Sequence, residues 1–164
     1  QTSGILLIAK NDLAHHSLSE QFSKKEIVKI YYALVFGHPN PSKGIIHTLY
    51  GRHPTRPMLF SSKVEKGKEA ITEYFVEKWI GNFSWVKVKL HTGRTHQIRV
   101  HFADMKHPII GDQTYGNQHS KAHFQRQILH AQEITFIHPQ NKEKLTFVSP
   151  IPDDISQFLK TIGQ

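Results

Sequence analysis

Two short stretches of the chain hold the residue types that chemistry on an anionic substrate needs. The first runs Leu90-His91-Thr92-Gly93-Arg94-Thr95-His96-Gln97-Ile98-Arg99-Val100-His101. Its pattern predicts a strand that ends, a turn at Thr92-Gly93, and a helix from Thr95 to about Asp104 with Thr95 as its cap. Helix N-termini attract anions through free N–H groups and the macrodipole, so Arg94, beside that start, is placed to grip a phosphate. Arg99 stands one turn further in, next to the apolar Ile98. An arginine there is partly buried, and a buried guanidinium needs a carboxylate. From these residues alone, an internal ion pair on an amphipathic helix serves as well as a catalytic role. The second stretch is Lys29-Ile30-Tyr31-Tyr32-Ala33-Leu34-Val35. In a strand, Lys29 and Tyr31 share one face and Tyr32 takes the other. A cation beside an aromatic ring can hold a phosphate and stack on a base. An ordinary half-buried strand would look the same.

Other chemistries find little support. The chain has no cysteine, which excludes disulfides, thiolate metal sites and thiol nucleophiles. Its 13 histidines invite a metal reading, but His96 and His101 are five apart, not the four that put two ligands on one helix face. No H-E-x-x-H, Walker or dinucleotide fingerprint occurs, and Ser3 has no hydrolase elbow around it.

The elements that must position these residues can be read from periodicity. Ile5 to Ala9 reads as a buried strand. Asn11 or Asp12 can cap a helix whose apolar positions are Leu13, Leu18 and Phe22. Strands are predicted over 28–36, 45–50, 71–79, 83–90, 134–138 and 145–148. In Phe83 to Leu90 the alternation is clear, with Val86, Val88 and Leu90 facing one way and Trp85, Lys87 and Lys89 the other. Gly37 to Pro57 reads as a long surface excursion around the strand 45–50. Pro152-Asp153-Asp154 opens a last helix carrying Ile155, Phe158, Leu159 and Ile162. Strands outnumber helices, so the expectation is one α+β domain over 1–164, with a mixed, mostly antiparallel sheet and helices packed on it.

Lys plus Arg number 21 against 13 Asp plus Glu, a net charge of 21 − 13 = +8. A surplus of this size suits a polyanionic partner, because cations that neutralise phosphates release counterions. No apolar run is long enough for a transmembrane helix, and no signal peptide is seen; a cytoplasmic monomer is the expectation.

Taken together, the segments resemble the RluA-type (ribosomal large subunit pseudouridine synthase A) family. Thr2-Ser3-Gly4 followed by Ile5 to Lys10 is similar to the end of the R-L-D-x-x-T-S-G signature and its hydrophobic strand. Lys29-Ile30-Tyr31-Tyr32-Ala33 resembles K-x-Y-x-A. Thr92 to Arg99 matches T-G-R-T-H-Q-I-R without a mismatch. Pro108-Ile109-Ile110-Gly111-Asp112 with Tyr115-Gly116 matches P-I-x-G-D-x-x-Y-G, and Arg126-Gln127 with Leu129-His130-Ala131 resembles R-Q-x-L-H-A.

The resemblance implies the pseudouridine synthase catalytic-domain fold and the isomerisation of uridine in ribosomal or transfer RNA to pseudouridine. It implies an aspartate nucleophile and neither metal nor cofactor. It makes Tyr31 a catalytic residue against the flipped-out uracil. It makes Arg99 the catalytic partner that holds the aspartate ionised. Lys29, Arg94, His96 and Gln97 become RNA contacts. Arg126, His130 and Asp112 are expected to make internal hydrogen bonds. In the signature the aspartate stands three residues before the threonine, two places upstream of Gln1, and no carboxylate of the chain occupies that position. The 164 residues alone are therefore expected to be inactive, and the missing upstream strands to leave a sheet edge exposed.

Overall fold

A computed structural model describes residues 1–163. Their strands are β1 (Ser3–Gly4), β2 (Val28–Phe36), β3 (Lys43–Arg52), β4 (Phe60–Ser61), β5 (Lys68–Ile80), β6 (Phe83–Leu90), β7 (Leu129–Ile137) and β8 (Lys144–Val148). The helices are α1 (Asp12–Ser23), α2 (Gln97–Asp104), α3 (Gln118–Lys121) and α4 (Asp153–Ile162). The strands form one sheet in the order β1-β7-β2-β6-β5-β3-β4, with β8 also paired to β7. Only β1–β7 is parallel; the other pairs are antiparallel. The expected α+β class and mixed, mostly antiparallel sheet are therefore found.

The alternation in β6 decides which side each helix covers. Val86, Val88 and Leu90 join Ala33, Val35, Tyr74 and Val76 in a cluster against Ile98 and Phe102 of α2. On the other face Leu34 and Phe83 pack with Ile155, Phe158 and Leu159 of α4. Tyr31 borders the first cluster, so the strand pattern delivers Tyr31 and α2 to the same side of the sheet.

The strand expected over Ile5 to Ala9 is not formed. Only Ser3–Gly4 pairs, with His130 and Ala131, and the ladder stops after the Ile5 N–H donates to the Ala131 carbonyl. Ile5, Leu7 and Ala9 still pack inward against Leu18, Ile27 and Phe136, whereas Leu6 and Ile8 are exposed. The side-chain pattern suits a strand, but beyond Ile5 the segment has no ladder among the described residues. The expected strands 45–50, 71–79 and 134–138 are longer than their apolar stretches suggested, and β4 and α3 were not foreseen.

Helix α1 begins as expected, with Asn11 Oδ1 accepting the Ala14 N–H at 2.8 Å. Leu18 is buried, but Leu13 lies in solvent and Phe22 is half exposed, so the apolar stripe is narrower than anticipated. Asn11→Ala removes the cap and is expected to cost about 1 kcal/mol, read as a lower urea midpoint at unchanged m.

Candidate active site

The first residues of the chain, Tyr31 and the start of α2 line one cavity of about 770 Å3. Gln1 to Leu6 form one wall. Leu90, Ile98 and Leu129 supply apolar surface, and Arg94, His96, Arg99, Gln113 and Thr114 supply polar groups. A cavity with apolar walls and few convergent polar groups is the usual form of a binding site.

Arg99 is the most constrained of these groups. It is 8% exposed, its Nε donates to Asp112 Oδ2 at 2.8 Å, and its Nη2 donates to Asp112 Oδ1 at 2.8 Å. The guanidinium also lies over the Tyr115 ring, 5.0 Å from its centroid. Asp112 is 1% exposed and accepts the backbone N–H groups of Thr114 and Tyr115 as well. Burial by itself would raise the Asp112 pKa. The Arg99 hydrogen bonds and the two amides outweigh it and hold the carboxyl below its ordinary 3.8. The carboxylate that the buried guanidinium requires is thus already present in the chain. The expectation that Arg99 is kept for an aspartate upstream is corrected to this extent: Asp112 holds two of its nitrogens. Nη1 has no hydrogen-bond partner among the described residues, and Arg99 lines the cavity, so room remains for a second carboxylate.

Tyr31 is half-buried at the cavity, and burial raises its pKa, so the phenol is neutral at pH 7. Its hydroxyl has no hydrogen-bond partner among the described residues. Lys29 shares its strand face, as the alternation required, but stands outside the cavity lining. Its ammonium lies over the Phe22 ring at 5.5 Å and beside Gly93, and burial lowers its pKa.

The turn before α2 is built differently from the sequence reading. Thr95 does not cap the helix; His96 occupies that place with φ 59°, in the left-handed region, and no side chain caps the first turn. Gln97 instead ties the preceding turn to the sheet. Its side-chain oxygen accepts from the Arg94 N–H (2.9 Å) and the Thr92 hydroxyl (2.8 Å), and its amide donates to Ile71 O (3.1 Å) and Thr72 Oγ1 (2.9 Å). Gln97 is 2% exposed with every polar group used. Its side chain holds the turn, and the residue also lines the cavity. Arg94 and His96 do line the cavity, with Arg94 Nε donating to the Glu69 carbonyl at 2.9 Å and His96 Nδ1 3.1 Å from the Tyr115 hydroxyl. Burial and nearby Arg99 lower the His96 pKa, so near pH 7 its imidazole is a neutral hydrogen-bonding group.

One function of the R-Q-x-L-H-A segment was not visible in the sequence: it clamps the start of the chain. Gln127 Nε2 donates to Thr2 Oγ1 at 2.8 Å, His130 Nδ1 lies 3.0 Å from Ser3 Oγ, and Arg126 Nη1 reaches the Gln1 carbonyl at 3.5 Å. Arg126 is itself held by Asp154 through two hydrogen bonds, at 2.9 and 2.8 Å. Gly4 passes so close to Ala131 that a Cβ would meet its carbonyl oxygen, and its φ of 102° lies where L residues rarely go. The Thr2-Ser3-Gly4 match was recognisable, but its partners lie more than a hundred residues away.

Behind α2, His101 is fully buried between Thr72 Oγ1 (2.9 Å from Nδ1) and Thr48 Oγ1 (3.1 Å from Nε2), and burial pushes its pKa down to about 4. The unfolded chain takes up this proton near pH 6.5 and the folded one only near 4. Stability is therefore complete above 6.5 and falls as pH drops through that window, by about 3 kcal/mol at most. Urea midpoints between pH 7 and 4 test this, and His101→Gln is expected to flatten the slope.

Among the described residues, no helix is long and apolar enough to cross a membrane, and no cluster of three or more His, Cys, Asp or Glu is placed to hold a metal ion.

Comparison with known proteins agrees with this geometry. The family model described as RNA pseudouridylate synthase matches residues 1–104. The "Uncharacterized RNA pseudouridine synthase" of Chlorobaculum parvum is 41% identical over 98% of this chain and 55% of its own length. Ribosomal large subunit pseudouridine synthase D of Zymomonas mobilis is 36% identical, over 98% of this chain and 53% of its own length. The chain spans about half the length of the curated relatives it matches. The solved structure of human RNA Pseudouridylate Synthase Domain Containing 1 superposes with a TM-score of 0.75 at 28% identity, covering 93% of this chain and 73% of that one. The motifs, the sheet that gathers them around one cavity and the match over 1–104 place the chain in the RNA pseudouridylate synthase family.

Proposed function

We propose that a polypeptide carrying this chain together with the aspartate of the family pattern isomerises uridine in RNA to pseudouridine. In that reaction the C1′–N1 bond of uridine breaks, the uracil turns, a C1′–C5 bond forms, C5 loses its proton and N1 gains one. The substrate is an already polymerised RNA, ribosomal or transfer, and the protein acts as a cytoplasmic monomer.

The single observation that carries this reading is the shared cavity: Gln1, Tyr31 and Arg99, far apart in sequence, line the same space. The pattern places the nucleophile two residues before Gln1, and two residues reach at most about 7 Å. A carboxylate placed there would share the cavity with Arg99, whose Nη1 has no hydrogen-bond partner among the described residues. Pairing with that cation keeps it ionised, as an attacking oxygen must be. The apolar surface of Leu90, Ile98 and Leu129 beside it lowers the local dielectric and strengthens the pair. A base can reach the cavity only by leaving its stack, and the half-buried Tyr31 ring supplies a face for it to lie against. Its neutral phenol would give its proton to N1 as the C1′–N1 bond breaks, and the phenolate left behind would take the proton from C5. Arg94 holds a neighbouring phosphate and His96 adds a hydrogen bond.

Tritium release from RNA labelled at C5 of uridine tests the reading. The form that includes the aspartate is expected to release label and the 164-residue chain none. Release by neither, with both folded and RNA-bound, would leave a pure RNA-binding module.

A further inference from the structure

On the side of the sheet away from Tyr31, four strands place a row of side chains directly opposite one another. Lys43 of β3 pairs in register with Phe75 of β5, Phe75 with Lys87 of β6, and Lys87 with Tyr32 of β2. Neighbouring strands lie about 4.8 Å apart, so the row alternates cation, ring, cation, ring across the sheet. The Phe75 side is half exposed, and Lys43 and Lys87 are both exposed. Neither lysine makes an ion pair among the described residues. Tyr32 is held rigid by stacking on Trp85 at 5.2 Å and by its hydroxyl donating to Glu77 at 2.9 Å. Beside the row, Glu73 contacts His91 at 2.8 Å and Lys89, a third lysine, at 3.9 Å, while Glu77 and Glu133 lie by Tyr32 at the far end, away from Phe75. The surface forms a shallow hollow of about 440 Å3 with Ile45, 66% exposed, at its edge.

The geometry points to a second contact for single-stranded RNA, on the face opposite the active site. Phe75 is the stacking platform for one base, and Lys43 and Lys87 hold the phosphates on either side of it. An unpaired phenylalanine ring between two unpaired cations fits a polyanion that carries flat apolar groups. The net charge of +8 favours the same class of partner. RNA as the polymer rests on the proposed function; the surface itself does not. Strand flanking the target uridine would leave the cavity, pass an edge of the sheet and lie across this row.

Fluorescence anisotropy with a short unstructured RNA oligonucleotide, titrated at several salt concentrations, tests it. Phe75→Ala is expected to weaken binding about 5- to 100-fold through loss of one stacked base. Lys43→Gln with Lys87→Gln is expected to reduce the slope of log affinity against log salt by about 1.4, near 0.7 for each lost phosphate contact. All three positions are at the surface, and unchanged thermal melts verify the fold. Unaltered affinity and slope in both variants would overturn the proposal while leaving isomerisation untouched. Conversely, variants that lose affinity in a protein that never isomerises uridine would sink the catalytic reading alone. Equal binding of polyglutamate with the same dependence on Phe75 would assign the row to an acidic protein partner, and a dimer abolished by Phe75→Ala would assign it to self-association. Either result overturns the RNA contact.

Discussion

Asp112→Ala is expected to destabilise the protein by about 3–5 kcal/mol, enough to consume much of the stability of a domain this size. The substitution leaves the Arg99 guanidinium, 8% exposed, without its two short hydrogen bonds. It also strips acceptors from the Thr114 and Tyr115 amides. A buried cation with no counter-ion is among the most costly defects a fold can carry. Arg99→Met offers the contrast. It strands the Asp112 carboxylate, which can take up a proton at moderate cost and keeps its two backbone donors, so its loss should be smaller. The same pair sets an acid limit. The folded pKa of Asp112 lies below its ordinary 3.8, so its contribution is complete above 3.8 and is lost as pH falls below it. Urea denaturation of the wild type and both variants at pH 7, and of the wild type below pH 4, measures each effect.

The second large effect concerns chemistry. Tyr31→Phe, in the form that includes the aspartate, is expected to lower kcat for tritium release about 100- to 10,000-fold, the range for loss of one proton-transfer group. The ring and its packing against the core cluster remain, so KM should change little. That split separates a proton role from a purely stacking one. If the ring alone matters, Phe keeps near-full activity and only Tyr31→Ala fails. The partnerless hydroxyl favours the first outcome, because nothing among the described residues gives it a structural task.

Much of this arrangement was legible in the residues, and the exceptions have physical reasons. The alternation of Val86, Val88 and Leu90 with Trp85, Lys87 and Lys89 fixed the inner face of β6, which Ile98 and Phe102 cover, while Lys87 and Lys89 are exposed on the other side. Asn11-Asp12 announced the start of α1 because a side-chain acceptor before a helix has one obvious use, and of the two candidates Asn11 is the cap. Ile5 to Ala9 misled because periodicity reports burial, whereas a strand also needs a neighbour to receive its hydrogen bonds. Thr95 misled because the helix starts one residue later, at a His96 in a left-handed conformation that spacing does not reveal. Arg99 was correctly read as buried and in need of a carboxylate. That Asp112 supplies one, thirteen positions on and in a separate motif, is a tertiary fact. The clamp of Gln127 and His130 on Thr2 and Ser3 is hidden for the same reason, since local patterns carry no information about partners across the sheet.

The claim on which the site depends is that Arg99 serves two carboxylates, Asp112 through Nε and Nη2 and the nucleophile through Nη1. An experimental structure of the chain extended upstream through the aspartate measures this directly. The expected result is a carboxylate oxygen about 2.7–3.2 Å from Arg99 Nη1, facing the Tyr31 ring across the cavity, with the Asp112 bonds intact. An aspartate turned out to solvent, with Asp112 the sole carboxylate on Arg99, would contradict it.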